Sequence, residues 1–339
     1  MDYLKDLSAI AEFIKGSRRI LITSHIKIDG DGLGSELSLK RALVSLGKEV
    51  KVINDCKVPS NLSFLLNNDS EVEIFDEERS SDFILNCDLI IVLDVALLYR
   101  LGKIETLFKN SRAKKVCIDH HLEGEEAFEI KVAKVDASST GEIVYDLLKI
   151  MNFDFDKDTA TPLYASIIID SGNLSYERCV KETYIIVSKL VEKGVDPYQV
   201  HINLHWCKTL NQLKLEEKVI SNLKIDGEIT YSYITSKDSL KLRLDPLEFP
   251  DIVHIPLSLK CSEIALLFVE NGGKEIKVSA RSKGKVKICK LAKEFGGGGH
   301  SLAAGFVVEG DLQSAIEVVL KMAKQFLKEE GSSNLSQNH

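Results

Sequence analysis

His25–Ser35 reads HIKIDGDGLGS and separates two segments of different periodicity. The apolar run before it, Ile20–Thr23, is typical of a buried strand. After it, apolar residues recur at helical spacing as far as Leu46, and Gly47 is a typical helix stop. The sequence therefore predicts a strand, a polar loop and a helix in succession. In parallel α/β sheets such loops lie at the carboxyl edge of the sheet, where active sites form.

The predicted loop carries one imidazole and two carboxylates, from His25, Asp29 and Asp31. These groups form a ligand set suited to Mn²⁺, Zn²⁺ or iron. The loop also contains glycines that allow a sharp turn and leave space for a phosphate at the start of the helix. These are Gly30, Gly32 and Gly34. Aspartate and glycine are also ordinary turn residues, so the loop alone is equally consistent with a polar turn that binds nothing.

The composition is that of a globular protein with two domains. The chain has 339 residues, of which 44% are hydrophobic and 28% charged. No apolar run is long enough to span a bilayer, and the N-terminus lacks the pattern of a signal peptide. Seven cysteines, none in a CxxC pair, favour reduced thiols in the cytoplasm over disulfides or structural zinc. A net charge of −7 argues against a protein that coats long nucleic acids.

Alternation of strands and helices predicts a first domain of the α/β class with a mostly parallel sheet. Apolar strand patterns at Leu89–Asp94 and Lys115–His121 each end in polar residues, and Ser139–Glu142 has the pattern of a capping box. A further apolar segment, Leu163–Ile169, leads into Asp170. We interpret it as another strand that ends at the same sheet edge.

From about residue 215 onwards, strand-like runs and helical segments predict a smaller α+β domain. The strands are predicted at Ile229–Thr235, Glu263–Glu270 and Glu275–Ser282, with a hairpin turn at 271–273 and helices at Val286–Phe295 and Asp311–Lys328. The predicted divisions are a first domain over 1–193, a helical connector over 194–214, a second domain over 215–330 and a disordered tail over 331–339.

Four segments of the first domain end in candidate metal ligands. They end in His25 with Asp29 and Asp31, in Asp94, in Asp119-His120-His121, and in Asp170. Gathered at one sheet edge, these carboxylates would repel one another by several kcal/mol without a cation. Two divalent cations about 3.5–4 Å apart would remove the repulsion, generate hydroxide at neutral pH and stabilise a departing oxyanion. The expected reaction is hydrolysis of a phosphate ester, and a ligand set without cysteine favours Mn²⁺.

The same segments resemble the four motifs of the DHH phosphoesterases. The matching stretches are HIKIDGDGLGS at 25–35, VLDVALLYRLG at 92–102, CIDHH at 117–121 and IIIDSGNL at 167–174. Further on, RSKG at 281–284 and FGGGGHSLAAG at 295–305 resemble the DHHA1 substrate domain that accompanies these motifs. The resemblance spans about residues 8–325. It is to the NrnA-type branch of oligoribonucleases, 3′-phosphoadenosine-5′-phosphate (pAp) phosphatases and cyclic di-AMP or pApA phosphodiesterases.

The resemblance implies a role for each matching residue. The implied ligands are His25 and Asp29 for one Mn²⁺, Asp31, His120 and Asp170 for a second, and Asp94 as the bridge between them. Asp119 would orient the histidine pair, and His121 would face the scissile phosphate. Ile28 stands where the family often has proline, which removes no ligand.

The C-terminal motif can also be interpreted from its residue types. Consecutive glycines allow backbone N–H groups to surround an anion, and Arg281 and His300 can pair with phosphate. The stretch 274–293 has seven lysines and Arg281 against the single acid Glu275, which would attract an anionic substrate. The lysines alone are more typical of a solvated face, and the four glycines with His300 are what favour substrate binding. Arg100 is a further candidate for a phosphate contact, with a surface ion pair as the alternative. The expected substrate-binding residues are Arg100, Arg281, Gly297, Gly298, Gly299 and His300.

We therefore expect a Rossmann-like α/β domain that holds the metals, a smaller α+β domain that holds the substrate, and an active site in the cleft between them. The resemblance implies hydrolysis of short RNA and dinucleotides to 5′-mononucleotides and removal of the 3′-phosphate of pAp. The apolar runs and the net charge predict no membrane or long duplex partner. A homodimer would fit the relatives, but the sequence shows no obvious dimer stripe and leaves the oligomeric state open. The alternatives are a cyclic di-AMP phosphodiesterase, a RecJ-like single-strand exonuclease, a pyrophosphatase, and a nucleotide sensor that does not hydrolyse. A sensor predicts lost ligands, whereas every expected ligand position is filled.

Overall fold

The computed structural model describes residues 3–121, 124–246, 250–270, 274–299 and 301–333. The chain forms two compact units, Met1–Cys207 and Lys208–His339. Each unit has its own sheet and its own apolar cores.

The first unit alternates strands with helices. Its elements are α1 (Tyr3–Gly16), β1 (Arg19–Thr23), α2 (Gly30–Ser45), β2 (Glu49–Asn54), β3 (Glu73–Ile74), α3 (Glu77–Asn86), β4 (Leu89–Leu93), α4 (Glu105–Asn110), β5 (Lys114–Asp119), β6 (Ile130–Ala133), α5 (Thr140–Ile150), α6 (Lys157–Asp170), α7 (Lys181–Glu192) and α8 (Pro197–His205). Short 3₁₀ segments at Ser60–Leu65 and Leu98–Ile104 complete it.

The strands of this unit form one parallel sheet in the order β3-β2-β1-β4-β5-β6. From β1 the chain moves outwards through β2 to β3, and from β4 it moves outwards on the other side through β5 to β6. The strand order therefore reverses between β1 and β4, which is where ligand sites form in open α/β sheets. The predicted Rossmann-like parallel sheet is confirmed.

Helices cover both faces of this sheet. Ile20 and Ile22 of β1 pack into the core shared with α1, α2, α5 and α6. Leu21 lies between them in the chain and packs on the opposite face, in a core with Phe83 of α3 and Phe108 of α4. A strand that is buried on both faces has a continuous apolar sequence, which explains why this strand was recognisable.

The segment before Asp170 corrects one prediction. Leu163–Ile169 is part of α6, and Asp170 is the last residue of that helix rather than the end of a strand. Helix α6 is buried along most of its length, so its apolar residues run almost without interruption and show no helical period. Asp170 therefore reaches the sheet edge from the C-terminus of a helix.

The glycines of the first motif also have a different role from the predicted turn. They lie inside α2, and none of them has a positive φ. An added Cβ would lie 2.1 Å from Ile169 Cδ1 at Gly30, and 2.3 Å from the carbonyl oxygen of Pro162 at Gly34. At Gly32 it would lie 2.8 Å from Ser24 Oγ. The space that Gly30 and Gly34 leave is thus occupied by α6, and the three glycines form no sharp turn.

The second unit is a smaller α+β domain, as predicted. Its elements are α9 (Leu210–Ser221), β7 (Lys224–Asp226), β8 (Ile229–Ile234), α10 (Ser236–Leu242), α11 (His254–Leu257), β9 (Ile264–Glu270), β10 (Glu275–Ser282), α12 (Ile288–Glu294), β11 (Gly298–Gly299), β12 (Ala303–Glu309) and α13 (Leu312–Ser333). The stretch 194–214, expected to be one polar helical connector, contains α8 and the beginning of α9, and Thr209 caps the second of these helices.

The sheet of this unit has the order β11-β12-β10-β9-β8-β7. β8 and β9 are parallel, and the other neighbours are antiparallel. Helices α12 and α13 pack on one face, and α9 and α11 pack on the other. The hairpin turn predicted at 271–273 lies outside the described residues, as does most of the predicted tail, while α13 continues to Ser333.

None of the helices in the described part of the chain combines the length and the apolar character that crossing a bilayer requires.

Candidate metal centre

His25 lies on the loop between β1 and α2 and is almost fully buried. Its Nδ1 is 2.8 Å from the carbonyl oxygen of Ile26, which can only accept a hydrogen bond. Nδ1 therefore carries the proton, and Nε2 faces two carboxylates, 3.6 Å from Asp29 Oδ2 and 3.4 Å from Asp94 Oδ2. Burial opposes a charge on His25, but the hydrogen bonds to Asp29 and Asp94 outweigh it and raise the pKa of this imidazole. Without a cation, a proton on His25 thus supplies positive charge.

Asp29 is the N-cap of α2. Its Oδ1 accepts the amides of Asp31 and Gly32 at 3.0 and 3.1 Å. The cap uses one oxygen, so the other remains directed at Nε2 of His25. The local sequence positions both groups because the helix start requires such a cap.

Asp94 follows β4 and occupies the centre of the cluster. Its φ is +60°, a left-handed conformation that is uncommon for a residue other than glycine. One oxygen faces His25, and the other lies 3.6 Å from Nε2 of His120 and accepts the hydroxyl of Thr140 at 3.0 Å. Burial and the negative charge of Asp31 raise the pKa of Asp94 well above its usual value. A cation on either side would relieve this cost.

A second group surrounds Nε2 of His120. This nitrogen lies 3.7 Å from Asp31 Oδ2 and 3.4 Å from Asp170 Oδ2. Burial lowers the pKa of His120, whereas burial and the negative charge of Asp31 raise that of Asp170. Asp170 Oδ2 is buried and accepts no hydrogen bond from the described residues. A buried oxygen without a donor fits a metal ligand.

Asp31 is held by the start of α5. Its carboxylate accepts the backbone amides of Thr140 and Gly141, at 2.7 and 3.1 Å. The hydroxyl of Ser166 on α6 donates to the same carboxylate at 2.5 Å. The N-terminal amides of a helix stabilise an anion, so the start of α5 holds this buried carboxylate in place.

Among the described residues, three sets of side chains have ligand atoms close enough for one metal ion, with the atoms of each set within 4.8 Å of one another. They are His25 with Asp29 and Asp94, Asp31 with His120 and Asp170, and Asp94 with His120 and His121. The first two sets lie on opposite sides of Asp94, since its two oxygens face different histidines. Oxygen and imidazole nitrogen donors without sulfur suit Mn²⁺ and similar divalent ions.

Asp119 and His121 form a separate pair at the end of β5. Asp119 is fully buried, and one of its oxygens accepts both the Nδ1 proton of His121 at 2.6 Å and the backbone amide of His121 at 3.0 Å. Burial opposes the charge on Asp119, but the hydrogen bond and charge of His121 lower the pKa of this carboxyl below its usual value. His121 is about 21% exposed, so its ring can meet a ligand while Asp119 sets its orientation.

The two arginines predicted to bind substrate lie in different units of the chain. Arg100 belongs to the 3₁₀ segment after β4, and its carbonyl oxygen accepts the Ile26 amide at 2.7 Å, which links this segment to the loop of His25. Arg281 lies on β10 of the second unit and donates to the carbonyl oxygen of Ala280. His300 lies outside the described residues.

The glycines of the second unit are explained mainly by packing. An added Cβ at Gly297 would lie 2.3 Å from the carbonyl oxygen of Gly305. Gly299 has a φ of +142°, and a Cβ there would lie 2.4 Å from the carbonyl oxygen of Ala303. Only at Gly298, among the three predicted to bind substrate, does the space around an added Cβ remain open. Close pairing of β11 with β12 therefore accounts for two of these glycines without any ligand.

Two further features of the site lie beyond the motifs. Glu36 of α2 is fully buried and accepts the side-chain amide of Asn54, whose oxygen in turn accepts the backbone amide of Ser24 at 3.2 Å. Arg178, after α6, approaches Nδ1 of His120 at 3.4 Å. Neither follows a strand or lies in a motif, so sequence patterns offered no signal for them.

Two family profiles match this chain: the DHH family, N-terminal domain, over residues 19–168, and the DHHA1 domain over residues 226–329. The chain is 26% identical over 336 residues to a Thermus thermophilus protein named bifunctional oligoribonuclease and PAP phosphatase NrnA, with 97% of each chain covered. It is 31% identical over 306 residues to a Streptococcus mutans protein named probable bifunctional oligoribonuclease and PAP phosphatase NrnA, covering 86% of this chain and 90% of that one. Among solved structures, an exopolyphosphatase-related protein from Bacteroides fragilis matches with a TM-score of 0.92 at 28% identity, covering 96% of this chain and 98% of that chain.

Proposed function

We propose a function from the premise that this chain belongs to the DHH family and carries a DHH domain followed by a DHHA1 domain. The chain is a metal-dependent phosphoesterase. It hydrolyses short oligonucleotides and dinucleotides such as pApA to 5′-mononucleotides, and it removes the 3′-phosphate of pAp. The observation that carries the proposal is the position of Asp94 between two groups of ligands, because one shared carboxylate is what a two-metal centre requires.

Two Mn²⁺ ions would be held by the described carboxylates and imidazoles. His25 and Asp29 would bind one, Asp31, His120 and Asp170 would bind the other, and Asp94 would bind both. When bound, two such ions lower the pKa of water and neutralise charge on a phosphoryl group. The buried oxygen of Asp170 that lacks a donor, and the raised pKa of Asp94, support this assignment.

His121 contacts the substrate, and Asp119 positions the ring of His121. The Asp119 carboxylate fixes the Nδ1 proton of His121 and stabilises the protonated ring. The other nitrogen can then donate a proton to the departing oxygen, which is the 3′ oxygen of the neighbouring nucleotide or of adenosine. Cleavage on this side leaves a phosphate on the 5′ side of the next nucleotide. The same geometry therefore serves both short RNA and pAp.

The second unit recognises the rest of the substrate. Arg281 binds a phosphate. Gly298, around which the space is open, and His300 both belong to the glycine-rich motif at 295–305. The basic stretch 274–293 around Arg281 attracts an anion in a chain that is otherwise acidic. The names of the two relatives, which join an oligoribonuclease with a PAP phosphatase, support this substrate class.

The test is product analysis with the full chain and Mn²⁺. Purified protein is incubated separately with pApA, pAp, a 5′-labelled RNA pentamer and cyclic di-AMP. We expect AMP from pApA and pAp and a ladder from the pentamer, all abolished by chelator and in an Asp94→Asn variant purified identically. Asp69→Asn, at an exposed carboxylate, controls for contaminating nucleases and should remain active.

Each alternative function gives a different result in the same assay. Rapid ring opening of cyclic di-AMP with little product from the other substrates would identify a cyclic dinucleotide phosphodiesterase. Processive degradation of a long single strand, with pApA and pAp untouched, would identify a RecJ-like exonuclease. Binding without product in any reaction, unaffected by chelator, would contradict the hydrolase and leave a sensor.

A further inference from the structure

Arg178 lies beside the metal centre and has no role in the motifs. It belongs to the segment between α6 and α7, eight residues after Asp170. Backbone hydrogen bonds fix this segment, since Ser175 and Tyr176 donate to the carbonyl oxygen of Ser171 at 3.0 and 3.1 Å. The segment thereby returns to the cluster, and one guanidinium nitrogen of Arg178 lies 3.4 Å from Nδ1 of His120.

Among the described residues, the guanidinium of Arg178 makes few polar contacts. It is half-buried, and within the described ranges no carboxylate lies within 4 Å of it. Arg41 of α2 shows the contrast. Its donors bond both oxygens of Glu71 and the carbonyl oxygens of Leu65 and Asp158, as expected for a structural arginine. By contrast, the described residues supply acceptors for only part of the five N–H donors of Arg178.

The negatively charged side chains around Arg178 explain why a positively charged side chain is favourable there. Five aspartates line the cluster, namely Asp29, Asp31, Asp94, Asp119 and Asp170. The guanidinium lies beside His120, whose other ring nitrogen faces Asp31 and Asp170, so its positive charge is close to this acidic cluster. An anionic substrate must approach this negative surface, and a guanidinium matches two phosphate oxygens in a bidentate contact.

We propose that Arg178 binds a non-bridging phosphate oxygen of the substrate, and of the 5′-nucleotide product, at the metal centre. The inference rests on the proposed function, since it assigns a substrate contact to the same site. Arg178 is then the phosphate-binding arginine of the first unit, in addition to whatever the second unit contributes.

The experiment measures ligand binding apart from turnover. 5′-AMP and adenosine are titrated by calorimetry into Mn²⁺-loaded full chain, its Arg178→Met and Arg178→Lys variants, and Arg112→Met. Arg112 is an exposed arginine of the same unit and serves as the matched control. Each variant is also titrated with Mn²⁺ alone, and kcat and KM for pApA are measured.

We expect Arg178→Met to weaken AMP binding roughly 10- to 100-fold, as loss of a charge-assisted hydrogen bond does, and to raise KM for pApA by a similar factor. Adenosine binding and the Mn²⁺ dissociation constant should stay within about twofold, since only the phosphate contact is lost. Arg178→Lys should recover part of the affinity, because lysine keeps the charge without the planar fork. Arg112→Met should behave as the unchanged chain.

Three results would overturn the proposal. The first is AMP affinity that is equal in Arg178→Met and the unchanged chain, or no AMP binding to the unchanged chain. The second is a large loss of Mn²⁺ affinity in Arg178→Met, which would make Arg178 a positioning residue for His120. The third is an equal loss of AMP and adenosine affinity. If the unchanged chain binds AMP through Arg178 but hydrolyses nothing, the inference stands and the proposed function fails.

Discussion

The carboxylate of Asp119 accepts both the backbone amide and Nδ1 of His121 through a single oxygen, at 3.0 and 2.6 Å. The second oxygen of Asp119 is buried and accepts no hydrogen bond from the described residues. The ring of His121 is therefore fixed in orientation and in tautomer by a buried anion. This arrangement is the one expected for a histidine that must carry a positive charge at one stage of a reaction.

Replacing the Asp119 carboxylate should slow hydrolysis and leave Mn²⁺ binding almost unchanged. Asn can accept the same hydrogen bonds, but it cannot stabilise a protonated His121. Asp119→Asn is therefore expected to lower kcat by roughly 10²- to 10⁴-fold, with the Mn²⁺ dissociation constant almost unchanged. Steady-state kinetics and Mn²⁺ titration of the same preparation check both parts. An unaltered kcat would show that Asp119 has a structural role alone.

Asp94→Asn should remove turnover and reduce the metal content. The variant keeps the size of the side chain but loses the charge shared by the two ligand groups. We expect bound Mn²⁺, measured by elemental analysis, to fall from about two per chain to one or fewer. The metal-free variant should unfold at a higher temperature than the metal-free parent, because the raised pKa of Asp94 indicates a costly buried charge. Retention of both ions would contradict the bridge.

Glu36 should make the stability of the metal-free protein depend on pH. Burial raises the pKa of Glu36 from 4.5 to about 8. A raised carboxyl pKa favours the folded state while the group is protonated, and that stabilisation is lost between about pH 4.5 and 8. The Glu36→Gln variant stays neutral, so its stability relative to the parent should increase over this range, by an amount on the order of 4 kcal/mol at most.

Urea unfolding at several pH values within this range measures the effect. Glu12→Gln, at an exposed glutamate of α1, should show no such trend and serves as the control. A pH-independent difference between Glu36→Gln and the parent would show that Glu36 stays charged in the fold.

Gly34→Ala tests the close packing of α2 against α6. The added methyl group would lie 2.3 Å from a backbone oxygen of Pro162, so one helix must move. We expect a loss of about 1–3 kcal/mol in the free energy of unfolding and weaker Mn²⁺ binding, because α6 carries Asp170. Gly16→Ala is the matched control, since nothing lies within 4 Å of its added Cβ. An equal effect at the two positions would contradict the packing argument.

Arg281→Ala should raise KM for pApA while kcat changes little, as expected for a residue that binds substrate away from the reacting atoms. Lys321→Ala, on the exposed side of α13, provides a comparison in the same unit. An equal loss of kcat would instead place Arg281 in contact with the transition state.

Sequence patterns were most informative about the candidate site where each part of it is local. His25 and Asp94 each follow a strand, and parallel pairing of β1 with β4 brings the ends of the two strands together. Alternating strands and helices were enough to predict a mostly parallel sheet, although not which strands are neighbours. Asp170 was identified by its motif although its element was wrong, because a buried helix and a buried strand share the same apolar pattern.

Other features of the fold and the site depend on contacts between segments that are distant in sequence, so local sequence patterns could not predict them. Glu36 occupies a helical position that resembles any polar site until Asn54 of β2 is placed beside it. Arg178 can be related to the site only through its contact with His120, which precedes it by more than fifty residues. Gly30 and Gly34 were read as turn residues because nothing in the chain shows that α6 crosses them.

The candidate metal ligands lie between β1 and the first turn of α2, directly after β4, directly after β5 and at the end of α6, so they come from segments that span most of the first unit. No short fragment of the chain can assemble the set, so the unfolded chain offers no comparable site. Bound cations would therefore cross-link four distant segments and lend the native state their binding free energy. Metal content then becomes a measure of how much of a preparation is correctly folded. It also links the cell's supply of divalent ions to the lifetime of the protein as well as to its activity.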